Sequence, residues 1–250
     1  MNPVKRFSNR VANYVKYRPG YPAELLKFLK LNRVLTAESV VADIGSGTGI
    51  SARVFLENGN VVYGVEPNDA MRNAAEQFLK GFPNFISVNG TSQATGLGSG
   101  SVDFIIAAQA FHWFEPEATR AEFVRILKPG GYVALIWNER QVDSTEFLRE
   151  YEKILVKFGS DYQTVRHENI DDAKLSAFFQ TDFRHAAFAN VQELDLEGLK
   201  GRIASSSYMP AEGGDGYEPM IKELESLFAK CEEGGKIKVF YDTNIYYSQL

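Results

Sequence analysis

Three glycines fall within five positions at Gly45-Ser46-Gly47-Thr48-Gly49, and the apolar run Val40–Ile44 leads directly into them. Glycine lets a backbone turn sharply and approach a ligand that a Cβ would hold away. A helical pattern follows, so free N–H groups and the positive end of a helix dipole face the turn. Such a turn suits a ligand with a nucleoside or an anionic part. Gly47 to Ala52 also fits the dinucleotide pattern G-x-G-x-x-[GA]. Glu66 ends the next apolar run about twenty residues downstream, where a carboxylate can accept hydrogen bonds from both hydroxyls of a ribose. Asp43 interrupts the first apolar run beside the turn. Buried there it needs donors, and the backbone N–H groups of the glycine loop are the expected source.

A second group lies at Ala108-Gln109-Ala110-Phe111-His112-Trp113-Phe114, behind the apolar run Val102–Ala108. Ligands of open parallel sheets bind outside the carboxyl ends of the strands. Aromatic rings at that edge can stack on a base or attract a cation. His112 is either a general base or a hydrogen-bonded structural histidine. His167 and His185 have no companions, and with one cysteine, Cys231, the chain offers no metal-ligating pattern. Neither a G-x-S-x-G elbow nor a lysine after the glycines is present.

The elements that must position these residues alternate from Val40 to Asn138 between short β-branched runs and helical patterns, as in βαβ units with a parallel sheet. Strands are predicted at Val40–Ile44, Val61–Val65, Phe85–Val88, Val102–Ala108 and Tyr132–Trp137, with Lys128-Pro129-Gly130-Gly131 as a break before the fifth. Beyond Asn138, helices are predicted at Ser144–Phe158, Asp171–Phe179, near Leu196–Ser207 and at Tyr217–Cys231. Phe183–Leu194 and Ile237–Tyr247 read as an antiparallel pair, which gives the sheet one reversed member. The segment before Lys30 reads as helical with an internal turn at Arg18-Pro19-Gly20-Tyr21-Pro22. One domain accounts for all 250 residues: a helical cap over 1–35, a ligand-binding core over 40–138, and acceptor-side helices with the last strands over 139–250.

Hydrophobic residues make up 44% and charged residues 24%, a globular balance, and the net charge of -5 argues against nucleic acid as partner. A small basic cluster, Lys5, Arg6, Arg10, Lys16 and Arg18, is either a solvated helix face or an attractor for an anionic substrate. No apolar run has the length of a membrane span, so a soluble cytoplasmic chain is expected. A small-molecule substrate and a monomer or homodimer are the separate expectations for its partners.

Val41-Ala42-Asp43-Ile44-Gly45-Ser46-Gly47-Thr48-Gly49, Val65-Glu66-Pro67-Asn68 with Met71, Val102-Asp103-Phe104 running to His112-Trp113, and Leu127-Lys128-Pro129-Gly130-Gly131 stand in the order of the class I S-adenosylmethionine (SAM)-dependent methyltransferases, and the chain resembles that family. The methyltransferase type 11 domain is the nearest pattern. The flanks at Tyr14–Pro22 and Tyr241–Tyr247 look like its trans-aconitate methyltransferase-like, small-molecule branch. The resemblance implies an α/β, Rossmann-like, doubly wound sheet of seven strands in the order 3-2-1-4-5-7-6, the last strand antiparallel. It adds an N-terminal helical lid and a helical insertion after the fifth strand. It implies SAM as cofactor, with Gly45, Gly47 and Gly49 (and Ser46 and Thr48 between them) at its methionine and ribose, and Glu66 on the ribose. Pro67 and Met71 follow that acid. Thr91, Ser92 or backbone groups of Gly90–Gln93 take the place beside the adenine where many relatives carry an acid, and Gln109 lies beside the methionine. Tyr17 and its neighbours close over the cofactor as a lid. Methyl transfer from a sulfonium is an in-line displacement that needs alignment more than acid–base machinery. Arg140, just past the fifth strand, Arg18 or a tyrosine is then expected to position an anionic acceptor. A nicotinamide-dependent oxidoreductase and a non-catalytic SAM-binding protein are the alternatives.

Overall fold

Apolar side chains alternate between the two faces of every central strand, and each face is covered by helices. In the computed structural model, which describes residues 15–160, 162 and 172–250, the strands are β1 Val40–Ile44, β2 Val61–Val65, β3 Phe85–Val88, β4 Val102–Ala108, β5 Leu127–Arg140, β6 Arg184–Leu194 and β7 Ile237–Gln249. They form one seven-stranded sheet in the order β3-β2-β1-β4-β5-β7-β6. Neighbours from β3 to β5 run parallel, and β7 lies antiparallel to both β5 and β6. The sequence-based order and the single reversed strand are therefore found. Of the basic cluster, Lys5, Arg6 and Arg10 lie outside the described residues, as do Tyr14 and His167.

The helices are α1 Ala23–Leu31, α2 Ile50–Glu57, α3 Asp69–Phe78, α4 Pro116–Ile126, α5 Glu146–Phe158, α6 Asp172–Phe179, α7 Leu196–Ala204 and α8 Tyr217–Cys231. Phe104, Ile106 and Ala108 of β4 face Leu25 and Leu29 of α1 and Phe55 of α2. The alternate residues Ile105 and Ala107 face Phe123 of α4 and Phe178 of α6. Burying one such Ile or Phe stabilises the fold by roughly 1.5–3 kcal/mol. Helices α5, α7 and α8 pack on one another and on Ile237, Val239 and Tyr241 at the start of β7, forming a third cluster. Asn68, Thr145 and Asp195 cap α3, α5 and α7 by accepting backbone N–H bonds.

The fifth strand differs from its sequence reading at both ends. Val102 pairs with Leu127 and Phe104 with Tyr132, so Lys128–Gly131 bulges out of a strand that it was expected to precede. Gly130, with φ +78°, allows that bend. At the other end Asn138, Glu139 and Arg140 continue the ladder against Thr243, Asp242 and Tyr241 of β7. Hydropathy ended the strand at Trp137; main-chain pairing carries it three residues further.

Candidate functional site

The carboxyl ends of β1, β2, β3 and β4 open on one side of the sheet, and the loops that leave them enclose a cleft of about 260 Å³. From β1 come Gly45 and Gly47, from β2 Glu66, Pro67, Asn68 and Met71, from β3 Gly90, Thr91, Ser92 and Gln93, and from β4 Gln109, Ala110, Trp113 and Phe114. The three glycines of the turn all have positive φ, +71°, +55° and +84°. Their surroundings differ. A Cβ on Gly45 would stand 2.7 Å from Cβ of Ala110, and one on Gly49 would stand 2.6 Å from Cδ1 of Leu79, whereas one on Gly47 would meet nothing within 4 Å. Gly47 therefore opens onto the cleft. Gly49, the N-cap of α2, is held by packing and is absent from the cleft wall.

Glu66 is placed by two backbone donors. Gly47 N–H donates to Oε2 at 3.0 Å and Asn68 N–H to Oε1 at 2.8 Å. Each oxygen keeps a second lone pair, and the side chain lines the cleft. Burial pushes its pKa up, opposed by the bonds from Asn68 and Gly47. Asp43 differs from expectation: it accepts the Ser51 hydroxyl at 2.6 Å and the N–H of Ala52, so it secures the first turn of α2, not the glycine loop. The loop turns away from the strand axis, and α2 brings its own first turn back over the carboxylate. Full burial raises this carboxyl to about 7, with the Ser51 bond opposing.

Thr91 is exposed, while Ser92 is buried and its Oγ accepts from Thr119 Oγ1 at 2.9 Å. Thr95 N–H donates to Glu122 at 2.8 Å, so α4 supports this loop from below. Arg125, bonded to Glu122, holds that carboxyl at about 2. Neither Thr119 nor Glu122 stood out in the sequence, because helical spacing marks both as ordinary positions of α4. Gln109 is a non-glycine residue with φ +58°, a conformation that costs about 1 kcal/mol and concentrates at sites.

A second cleft, of about 150 Å³, adjoins the first and shares Gly45, Gly47 and Gln109 with it. Ser46, Thr48 and Ser51 extend it from the glycine loop; Thr48 Oγ1 is buried without a protein partner. Its other walls come from separate parts of the chain: Arg18, Pro19 and Tyr21 before α1, Asn138 to Arg140 of β5, Tyr162, Arg202 of α7, Tyr208, and Tyr241 of β7. The N-terminal segment is strapped there. Asn138 and Asn190 donate to the carbonyl of Gly20 at 3.0 and 2.9 Å, Gln192 to that of Tyr17 at 2.9 Å, and Arg18 to that of Ser205 at 3.1 Å.

Of the residues expected to act on the acceptor, Arg140 reaches this cleft. It is ion-paired with Glu152, donates to the Tyr162 hydroxyl at 3.0 Å and stands over the Tyr151 ring. Tyr17 packs its ring against Gly201 and does not line either cleft. His112 sits on a short 3-10 turn, Phe111–Trp113, tilted against Trp113, and likewise does not line them. Arg202 and Tyr208 carried no motif and were not anticipated, and Tyr241, which opens the C-terminal flank of the resemblance, was given no place in the site. Among the described residues no group of His, Cys, Asp or Glu could hold a metal ion, and no helix is long and apolar enough to cross a membrane.

These features fit SAM. Glu66 has lone pairs free for two ribose hydroxyls, Gly47 leaves room where a side chain would stand, and Met71, Trp113 and Phe114 offer apolar surface to a purine. The methyltransferase domain family matches residues 42–135. The chain is 26% identical over 250 residues to a methyltransferase-like protein of Schizosaccharomyces pombe, covering 98% of this chain and 96% of that protein. It is 32% identical over 203 residues to an uncharacterized methyltransferase of Mycobacterium tuberculosis, covering 81% and 76%. A solved structure described as a type II methyltransferase from Anaeromyxobacter dehalogenans has the same fold, with a TM-score of 0.70, 21% identity, and coverage of 93% and 98%. The nicotinamide alternative falls away, and the chain belongs to the class I SAM-dependent methyltransferases, an enzyme family.

Proposed function

We propose that this enzyme methylates a small-molecule acceptor that enters the second cleft while SAM fills the first. The observation that carries this reading is the junction of the clefts at Gly45, Gly47 and Gln109. Bound SAM supplies a methyl group on a positively charged sulfur, already activated for in-line displacement. Glu66 holds the ribose, the loop Gly90–Gln93 with Trp113 and Phe114 flanks the base, and the glycine turn admits the methionine part. Gln109, strained at the junction, separates the cofactor from the acceptor. The strap at Arg18–Tyr21 closes the acceptor side, which favours a metabolite over a macromolecular chain and keeps water from the reacting atoms.

The test is transfer of a deuterated methyl group from SAM into a cell extract, followed by fractionation. Label in the fraction of metabolite size supports the reading. Label confined to protein or nucleic acid overturns it.

A further inference from the structure

The second cleft contains two buried arginines in opposite electrostatic situations. Arg140 has a carboxylate, Glu152, within ion-pair distance. Arg202 is 9% exposed and has none among the described residues. Its Nε donates to the Tyr241 hydroxyl at 3.4 Å and its Nη1 to the Ser206 hydroxyl at 3.3 Å, both long bonds to neutral groups. The neighbouring Tyr151 supplies no countercharge either, because burial pushes its hydroxyl up to about 12 despite Arg202 and Arg140 beside it. A guanidinium cannot relieve this by losing its proton. A buried cation without a partner is destabilising unless something else provides the negative charge.

We infer that Arg202 receives an anionic group of the methyl acceptor, a carboxylate or a phosphate monoester, and so sets the enzyme's substrate class. The inference rests on the methyl-transfer reading above and adds the acceptor's charge to it. Arg202 lines the cleft, and so does Arg18, whereas Glu139 is the one carboxylate in the described wall. Arg140 is already paired with Glu152, which leaves Arg202 as the guanidinium available to an incoming anion. A planar guanidinium with a free edge pairs two oxygens of a carboxylate or phosphate at once, which selects for such groups over amides and alcohols. A cleft of about 150 Å³ fits an acceptor of metabolite size.

The experiment uses the full chain and deuterated SAM, with mass spectrometry of the products. One arm offers benzoate, fumarate and citrate, a second the corresponding amides, and a third glycerol phosphate and phosphoethanolamine. Transfer to the carboxylates or to the phosphates but not to the amides supports the inference and identifies which anion is used. Equal transfer to amides overturns it while leaving small-molecule methyl transfer intact. Transfer to none of them, with label in macromolecules of an extract, overturns the functional reading itself. With the best acceptor, Arg202→Gln should raise KM at least tenfold and leave SAM affinity within twofold, and Arg202→Lys should recover part of the loss. The melting temperature of Arg202→Gln without acceptor should equal or exceed that of the wild type, since an uncompensated charge is removed. A clear fall in melting temperature with unchanged KM would assign Arg202 to structure and overturn the inference.

Discussion

The two clefts meet at three residues yet are built on different rules. The first cleft is made of four short segments, each following one of β1 to β4, and its carboxylate Glu66 is held by two main-chain N–H groups. The second cleft is made of short pieces and isolated side chains drawn from residues between 18 and 241. Behind the first cleft Asp43 and in the wall of the second Arg202 are ionisable groups buried without full compensation, and the two behave differently. Asp43 can shed its charge by taking a proton near pH 7. Arg202 cannot shed its charge. The parallel sheet thus assembles the first cleft at one edge of its own strands, while the second draws its walls from distant parts of the chain.

The strongest challenge to this contrast is Arg140→Gln, set beside the Arg202 variant. It takes from Glu152 its ion-pair partner Arg140 in a largely buried setting, the arginine and glutamate side chains being 10% and 17% exposed. Removing one partner of a buried pair costs about 3–5 kcal/mol. Urea unfolding should show a loss near the lower end of that range, with partial recovery in Arg140→Gln/Glu152→Gln. Equal stability of the Arg140 and Arg202 variants would erase the distinction drawn between the two arginines.

Glu66→Ala probes the other cleft. It removes an ionised acceptor, an interaction of roughly 1.5–3 kcal/mol, so SAM affinity by calorimetry should fall about ten- to a hundredfold. Acceptor KM at saturating SAM should stay within twofold. Wild-type SAM affinity would remove the ribose assignment and with it the claim that β2 clasps the cofactor.

This difference also decides what could be read in advance. Gly45, Gly47 and Glu66 stood out in the sequence as a turn at a strand end and a carboxylate at the end of the next strand, while Met71 and Gln109 entered through the resemblance, and the structure places all five on the first cleft. The sheet order followed from the resemblance, and the strand and helix periodicities agreed with it. Arg202 was illegible because it lies in a helix, α7, whose spacing says only that one side is buried. Its bonding partner Tyr241 on β7, and the glycine loop that lines the same cleft, are far away along the chain. Arg140 was noticed for its position after β5, but Glu152, which neutralises it, is brought close by the packing of α5. The bulge at Lys128–Gly131 was read as a break, since Pro and Gly suppress strand propensity whether a strand ends or merely bends there.

Asp43→Asn tests the buried carboxyl that secures the first turn of α2, directly behind the glycine loop. In the folded chain this group keeps its proton up to about pH 7, whereas the unfolded chain loses it near the ordinary value of 3.8. Its contribution to stability is therefore greatest at low pH and is lost as pH rises from about 4 to 7, after which it is flat. Asparagine can still accept the Ser51 bond and carries no charge. Between pH 5 and pH 7.5 the stability difference should shift in favour of the variant by about 2–3 kcal/mol in parallel urea titrations. A difference independent of pH would mean that the carboxyl ionises normally and that burial is not what limits it.

The smallest effect separates ligand approach from packing within one loop. Gly47→Ala and Gly49→Ala both put a Cβ on a residue with positive φ, at a cost of about 1 kcal/mol each. At Gly49 the new methyl also meets Leu79, which is 1% exposed and cannot swing into solvent. Gly49→Ala should therefore lose about 2 kcal/mol of stability, measured by urea unfolding, with SAM affinity within threefold of wild type. Gly47→Ala meets no protein atom, so its stability loss should stop near 1 kcal/mol. Its methyl enters the space shared by the two clefts, so SAM affinity should fall at least fivefold. If the two variants lose affinity equally, Gly49 acts on the ligand as well, and the division of the loop into one ligand-facing and one packing glycine does not hold.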